Sequence, residues 1–200
     1  MNVFKGADGR YLEMTNGGTA VFVDVLMLSV STLAREPWDF RFAALLTLQD
    51  QSVMGRGVVG FGLADLDWGD TPQERAAAKD FLLRVLDLAL SRHRWEELTY
   101  DPPRAEGYLR AYRAMVEAFD PATARGGADV LPGPQEAATA SCVRHRVLDA
   151  LPFWEACVFC TAEPRSHHPM RDGAASPSAA VPTAGEGAGD ERLNVPPGAC

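Results

Sequence analysis

Three cysteines and one histidine carry the chain's best-defined chemical pattern: Cys142-Val-Arg-His145, eleven intervening residues, then Cys157-Val-Phe-Cys160. Each half spaces its two donors by three, which puts both on one helix face or in one tight turn. The stretch between, with Pro152, is long enough to turn the chain back. Three thiolates and one imidazole form a Cys3His set, suited to a closed tetrahedral Zn2+ site. Soft sulfur and borderline nitrogen match zinc, and a filled shell leaves no reactive water. His167 and His168 are alternative fourth ligands, seven and eight residues past Cys160. The competing reading makes Cys142 and Cys157 small buried apolar residues and His145 a solvated one. Cys200, at the chain's end, reads as a passive exposed thiol.

Other motifs yield to plainer readings. Redox CxxC motifs sit where a strand meets a helix, but Val158 and Phe159 lie between these cysteines and no βαβ pattern precedes them. Gly55-Arg-Gly57-Val-Val-Gly60 matches G-x-G-x-x-G. Helix is expected before it and strand after it, the reverse of a phosphate-binding turn, so the run is read as a flexible turn. Asp65, Asp67 and Asp70 cluster beside Glu74 without EF-hand spacing. They read as a solvated turn near a helix N-terminus and as an acidic face able to attract a basic partner. Arg92-His93-Arg94-Trp95 is read as a helix C-terminus with charge complementing the dipole. Tyr108, Tyr112, Met115 and Phe119 form a stripe expected to pack in the core, or to serve as an interface face. Ser29, Ser31 and Ser52 lack the G-x-S-x-G context of an activated nucleophile, and no H-E-x-x-H occurs.

Positioning these groups falls to elements read from periodicity and punctuation. Tyr11–Thr15 alternates apolar with polar residues, Asn16-Gly17-Gly18 accepts positive φ, and 19–23 can return as a second strand. A helix is predicted from Asp24 to before Pro37, and another from Trp38 to about Gln51. Met54–Trp68 reads as a glycine-rich loop followed by a strand or extended segment. Thr71-Pro72-Gln73-Glu74 is a capping box with proline at the first helical position, opening a helix to about Arg92. Trp95–Tyr100 is expected to be extended, and a further helix to run from Arg104 to about Phe119. The expected fold class is α+β: one mostly helical domain (1–120) with a short antiparallel hairpin or small sheet. A linker (121–134), a helical Cys/His module (135–170) and an Ala/Gly/Pro-rich tail (171–200), expected to be disordered, follow it.

At 200 residues with 46% hydrophobic and 23% charged residues, the composition is globular. A net charge of −8 argues against a default affinity for nucleic acid or anionic lipid. The apolar stretch Ala20–Val30 is broken by Asp24, so no bilayer-crossing segment is expected. Asp8 stands where a signal peptide needs an apolar run, so the expected location is cytoplasmic, a compartment where paired thiols bind metal more often than they form structural disulfides.

The runs 46–57, 60–68 and 79–90, with Trp95-Glu-Glu-Leu-Thr-Tyr100, resemble small acidic actinobacterial proteins, among them immunity proteins of polymorphic toxin systems. The resemblance covers about residues 10 to 120 and carries over no functional residue. It implies a non-catalytic protein that binds and blocks a toxin; combined with the residue readings above, the acidic face at Asp65, Asp67 and Asp70 would meet a basic toxin domain and the zinc would be structural. Two other functions fit the Cys/His set: an open metal site in an enzyme or enzyme accessory, and a zinc-containing regulator contacting nucleic acid. The sequence leaves the oligomeric state open.

Overall fold

The computed structural model describes residues 1–49, 59–102, 104–125, 131, 147 and 148. Its described elements make an α+β fold that is mostly helical, with one two-stranded antiparallel sheet. Strand β1 (Asn2–Lys5) pairs with β2 (Tyr11–Met14) in the register Val3↔Glu13 and Phe4↔Leu12. Asp8-Gly9 turns the chain between them, Gly9 taking φ +79° and Gly6 N donating to Arg10 O at 2.8 Å. Alternation puts Phe4, Leu12 and Met14 into the core and leaves Lys5, Tyr11 and Glu13 outside.

The predicted hairpin is therefore corrected. Tyr11–Met14 is a strand, but its partner lies upstream, and 19–23 belongs to helix α1 (Asn16–Leu33). The Thr15 hydroxyl caps that helix, accepting from Gly18 N at 3.1 Å. Gly18 is small for a packing reason: a Cβ there would stand 2.9 Å from the Tyr108 hydroxyl. Helix α1 is buried over much of its circumference, from Phe22 to Val30, and packs against α2 (Pro37–Thr47), α3 (Pro72–Leu90) and α4 (Ala105–Ala118). It has 18 residues, a mean hydropathy of 1.3 and half of that stretch buried, so by length and composition alone it could cross a membrane. Asp24 interrupts the apolar run without lowering its hydropathy below that of a spanning segment, and the same helix serves here as a core element.

Helix α2 begins at Pro37, where the Asp39 carboxylate accepts from Arg35 N and Glu36 N at 2.9 and 3.0 Å. It stops at Thr47, short of the predicted Gln51. Residues 59–62 then run extended alongside β1: Val3 N donates to Val59 O (3.1 Å), Lys5 N to Phe61 O (3.0 Å), and Lys5 bridges Gly62 in parallel. Gly60 (φ +119°) makes this approach possible, since a Cβ there would overlap the Val3 carbonyl oxygen and lie 2.6 Å from its carbon. The predicted capping box opens α3: Glu74 N donates to Thr71 Oγ1 (3.2 Å), and Glu74 Oε2 accepts from Thr71 N (2.8 Å). Those bonds, from the Thr71 backbone first, hold the Glu74 carboxyl below its ordinary range.

At the core centre, Phe4 meets Phe22, Phe61 and Tyr112 edge-on at centroid distances of 5.1–5.9 Å. Tyr112, Met115 and Phe119 are buried and Tyr108 is partly so, which makes the α4 stripe core packing. Leu131 and Val147 join the same core, and Leu148 N donates to Ser31 Oγ on α1 at 2.9 Å. These residues belong to one compact unit, Met1–Arg165.

Candidate functional site

Between α3 and α4 the chain makes a tight reversal that holds the clearest site-like features among the described residues. Helix α3 ends at Leu90 and Ser91 caps it, so Arg92-His93-Arg94-Trp95 lies beyond the helix instead of completing its last turn. Arg92 and Arg94 both take left-handed conformations, φ +62° and +61°. For residues other than glycine this is uncommon backbone that the surroundings must enforce. Three groups enforce it. Arg92 donates from Nε (2.9 Å) and Nη2 (2.6 Å) to Glu106 Oε1 on α4. Arg94 grips both Glu97 oxygens at 2.6 and 2.7 Å. His93 Nε2 lies 2.8 Å from Thr32 Oγ1 on α1.

Trp95–Glu97 then forms a single 3-10 turn, and the chain becomes extended at Leu98. The expectation of an extended Trp95–Tyr100 is thus corrected in its first half: the left-handed Arg94 drives the chain into a turn so that Trp95 can bury. Arg92 lies over the Trp95 ring, 5.8 Å from its centroid. Tyr100 closes the far wall, donating its hydroxyl proton to Asp24 Oδ2 at 2.6 Å. Burial, with the Asp24 charge beside it, pushes the Tyr100 phenol far above its ordinary value. This resolves the one charge on α1 into a wall element.

The reversal encloses an open groove of about 470 Å³ running from Arg92 to Pro102. That size falls in the range of ligand-binding clefts, roughly 300–1,000 Å³. Its floor is Trp95, Leu98 and Pro102; its rim carries Glu96, Thr99 and Asp101, all exposed. The indole N–H of Trp95 is buried and has no hydrogen-bond partner among the described residues. The sequence flagged Arg92–Trp95 only as a charged helix end. The signal for the groove is that Trp95, Leu98 and Pro102 recur within a short stretch that is too polar for a core element.

The acidic face has a different character from the one expected of three solvated carboxylates. Asp70 is exposed, whereas Asp65 and Asp67 are half-buried. Asp67 faces Arg41 at 3.4 Å and accepts from Gly69 N at 3.0 Å. The backbone of this segment is fixed: Trp38 Nε1 donates to Asp67 O (2.6 Å), Trp68 Nε1 to Leu63 O (2.7 Å), and Arg75 to Gly69 O and Asp70 O at 3.1 and 2.9 Å. Asp67 therefore spends its charge inside the fold, and Asp65 and Asp70 are the acids left to a partner.

Cys142, His145, Cys157 and Cys160, with the alternatives His167 and His168, lie outside the described residues, as do Ser52, Gly55, Gly57, Cys200 and the tail 171–200. Among the described residues no group of three or more His, Cys, Asp and Glu side chains is arranged to hold a metal ion. Ser29 and Ser31 donate back to Val25 O and Met27 O within α1. Comparison with protein-family models, curated proteins and solved structures returned no match.

Proposed function

We propose that the chain is a non-catalytic cytoplasmic protein-binding module, a toxin-neutralising protein of the immunity type that meets a basic partner through Asp65 and Asp70. The observation that supports this reading is the rigid acidic segment 65–74. Two tryptophan N–H groups, an arginine and a capping box hold its backbone, so a partner would find the exposed Asp70 carboxylate already placed. A preorganised rim of this kind favours association by lowering the ordering cost and steering an opposite charge. In the same reading Cys142, His145, Cys157 and Cys160 hold a structural Zn2+, a proposal that rests on their spacing alone.

Two measurements test it. The full chain is co-expressed with the product of the neighbouring gene, and the complex is weighed by light scattering. A stable complex weakened at least tenfold by Asp70→Lys supports the reading; no complex, or one indifferent to Asp70→Lys and Asp65→Lys, removes it. Asp67→Lys is a poor probe because it also breaks the Arg41 contact. Elemental analysis of the purified chain should find about one zinc per chain, lost in Cys157→Ser and Cys160→Ser, as a closed four-ligand site requires.

A further inference from the structure

We infer that the groove between Arg92 and Pro102 is a second contact surface, which takes a lysine or arginine side chain from an extended segment of a protein partner. The inference rests on the protein-binding reading above and adds a distinct place and a distinct chemistry to it.

Charge decides the class of occupant. Arg92 lines the groove and turns its guanidinium toward Glu106, a carboxylate it shares with Arg110 at 2.6 Å. Those two partners hold the Glu106 carboxyl below its ordinary range, as expected of a carboxylate fully committed to its cations. Arg94 is likewise committed to Glu97. Glu96 and Asp101 remain on the rim, exposed and in no ion pair among the described residues. The groove thus offers two carboxylates to an incoming cation over an apolar floor of Trp95, Leu98 and Pro102. Such a floor suits the methylene stem of lysine or arginine, which packs apolar surface while its head stays polar. Tyr100, in the wall, adds an aromatic ring of the kind that stacks on guanidinium.

One further observation bears on the occupant: the groove is preformed. Two left-handed residues, the Arg92–Glu106 and Arg94–Glu97 pairs and the Tyr100–Asp24 bond fix its walls before anything binds. Strained backbone of this sort clusters at clamps and ligand sites.

The probe is acetylated tetra-lysine amide, titrated into the 15N-labelled full chain at low salt. The expected result is saturable shifts confined to 92–102, with the Trp95 indole resonance among the largest. Glu96→Gln and Asp101→Asn should each weaken binding three- to tenfold and together abolish it. Glu13→Gln, on the exposed side of β2, should leave it unchanged. Shifts centred on 65–74, shifts spread over all acids, or insensitivity to the Glu96 and Asp101 variants would overturn the inference. The two readings fail separately. A partner complex weakened by Asp70→Lys but untouched by the Glu96/Asp101 double variant sinks the groove and keeps the binding function. Groove binding of tetra-lysine without any partner complex does the reverse.

Discussion

Gly60→Ala tests directly how closely residues 59–62 approach β1. The backbone at Gly60 sits at φ +119°, a region that an L-residue rarely adopts, and a Cβ there would collide with the Val3 carbonyl on β1. Relieving the overlap requires strand β1 and residues 59–62 to separate. That motion stretches Val3 N→Val59 O (3.1 Å), Lys5 N→Phe61 O (3.0 Å) and Gly60 N→Gln49 Oε1 (2.8 Å). Three such bonds contribute about 1 kcal/mol each, and the disfavoured φ adds about 1–2 kcal/mol, so the loss should be about 4–5 kcal/mol. Displacing Phe61 also loosens its edge-on contact with Phe4. In urea, with a slope of about 2 kcal/mol per molar, the midpoint should fall by about 2–2.5 M, read by far-ultraviolet circular dichroism. Gly17 and Gly107 supply the contrast. Both are helical, and a Cβ at either meets nothing within 4 Å, so alanine there should stabilise by about 0.5–1 kcal/mol. A Gly60→Ala protein within 1 kcal/mol of the parent would refute the parallel approach of 59–62 to β1.

Three further outcomes follow from particular contacts. Lys79 on α3 donates to Glu117 O (2.9 Å) and Phe119 O (2.6 Å) at the end of α4, so Lys79→Met should cost about 1–2 kcal/mol in urea unfolding, while Lys79→Arg should retain part of it. Tyr100 and Tyr112 are raised far above 10.0, both by burial first, so near-ultraviolet titration should show two of the four tyrosines ionising only as the fold is lost in alkali. A raised phenol favours the native state below the unfolded value and loses that advantage as pH climbs past it; Tyr100→Phe should remove one of the two late transitions. Glu106 and Glu74 run the other way. Their carboxyls are lowered from 4.5, so their contribution is present above that value and disappears as pH falls toward the lower native one. The urea midpoint should therefore drop on acidification below about pH 5, less steeply in Glu106→Gln than in the parent.

What the residues disclosed in advance was the punctuation that acts locally. Thr71-Pro72-Gln73-Glu74 opened α3 as read, because a capping box satisfies its donors within four residues and needs no tertiary help. The α4 stripe was legible for the same reason: Tyr112, Met115 and Phe119 share a face at helical spacing wherever the helix docks. Pairing across distance was not legible. Asn16-Gly17-Gly18 looks like a hairpin turn, yet Thr15 caps a helix there and the small Gly18 admits the Tyr108 hydroxyl, a demand set by α4. The true hairpin signal, Asp8-Gly9, stood eight residues earlier, between two four-residue strands too short to declare their alternation.

The same division separates the two surfaces. The acidic face was visible as composition, but its working charge was not, because Asp67 is neutralised by Arg41, 26 residues away in the chain. The turn that shapes the groove was invisible because nothing in Arg92-His93-Arg94-Trp95 announces left-handed backbone. Residues that favour that conformation, glycine and asparagine, are absent from the run, so the strain has no local signature. It exists because partners on α1 and α4, Thr32 and Glu106, hold His93 and Arg92 in place, while Glu97 holds Arg94 from within the turn. Removing one of those anchors should therefore relax the backbone without unfolding the core. Glu106→Ala leaves α1, α3 and their apolar contacts intact. It should open the groove and broaden the Arg92–Trp95 amide resonances, with the urea midpoint little changed. A Glu106→Ala chain whose 92–95 resonances match the parent's would mean that the turn holds its own shape, and that no long-range restraint is needed to explain it.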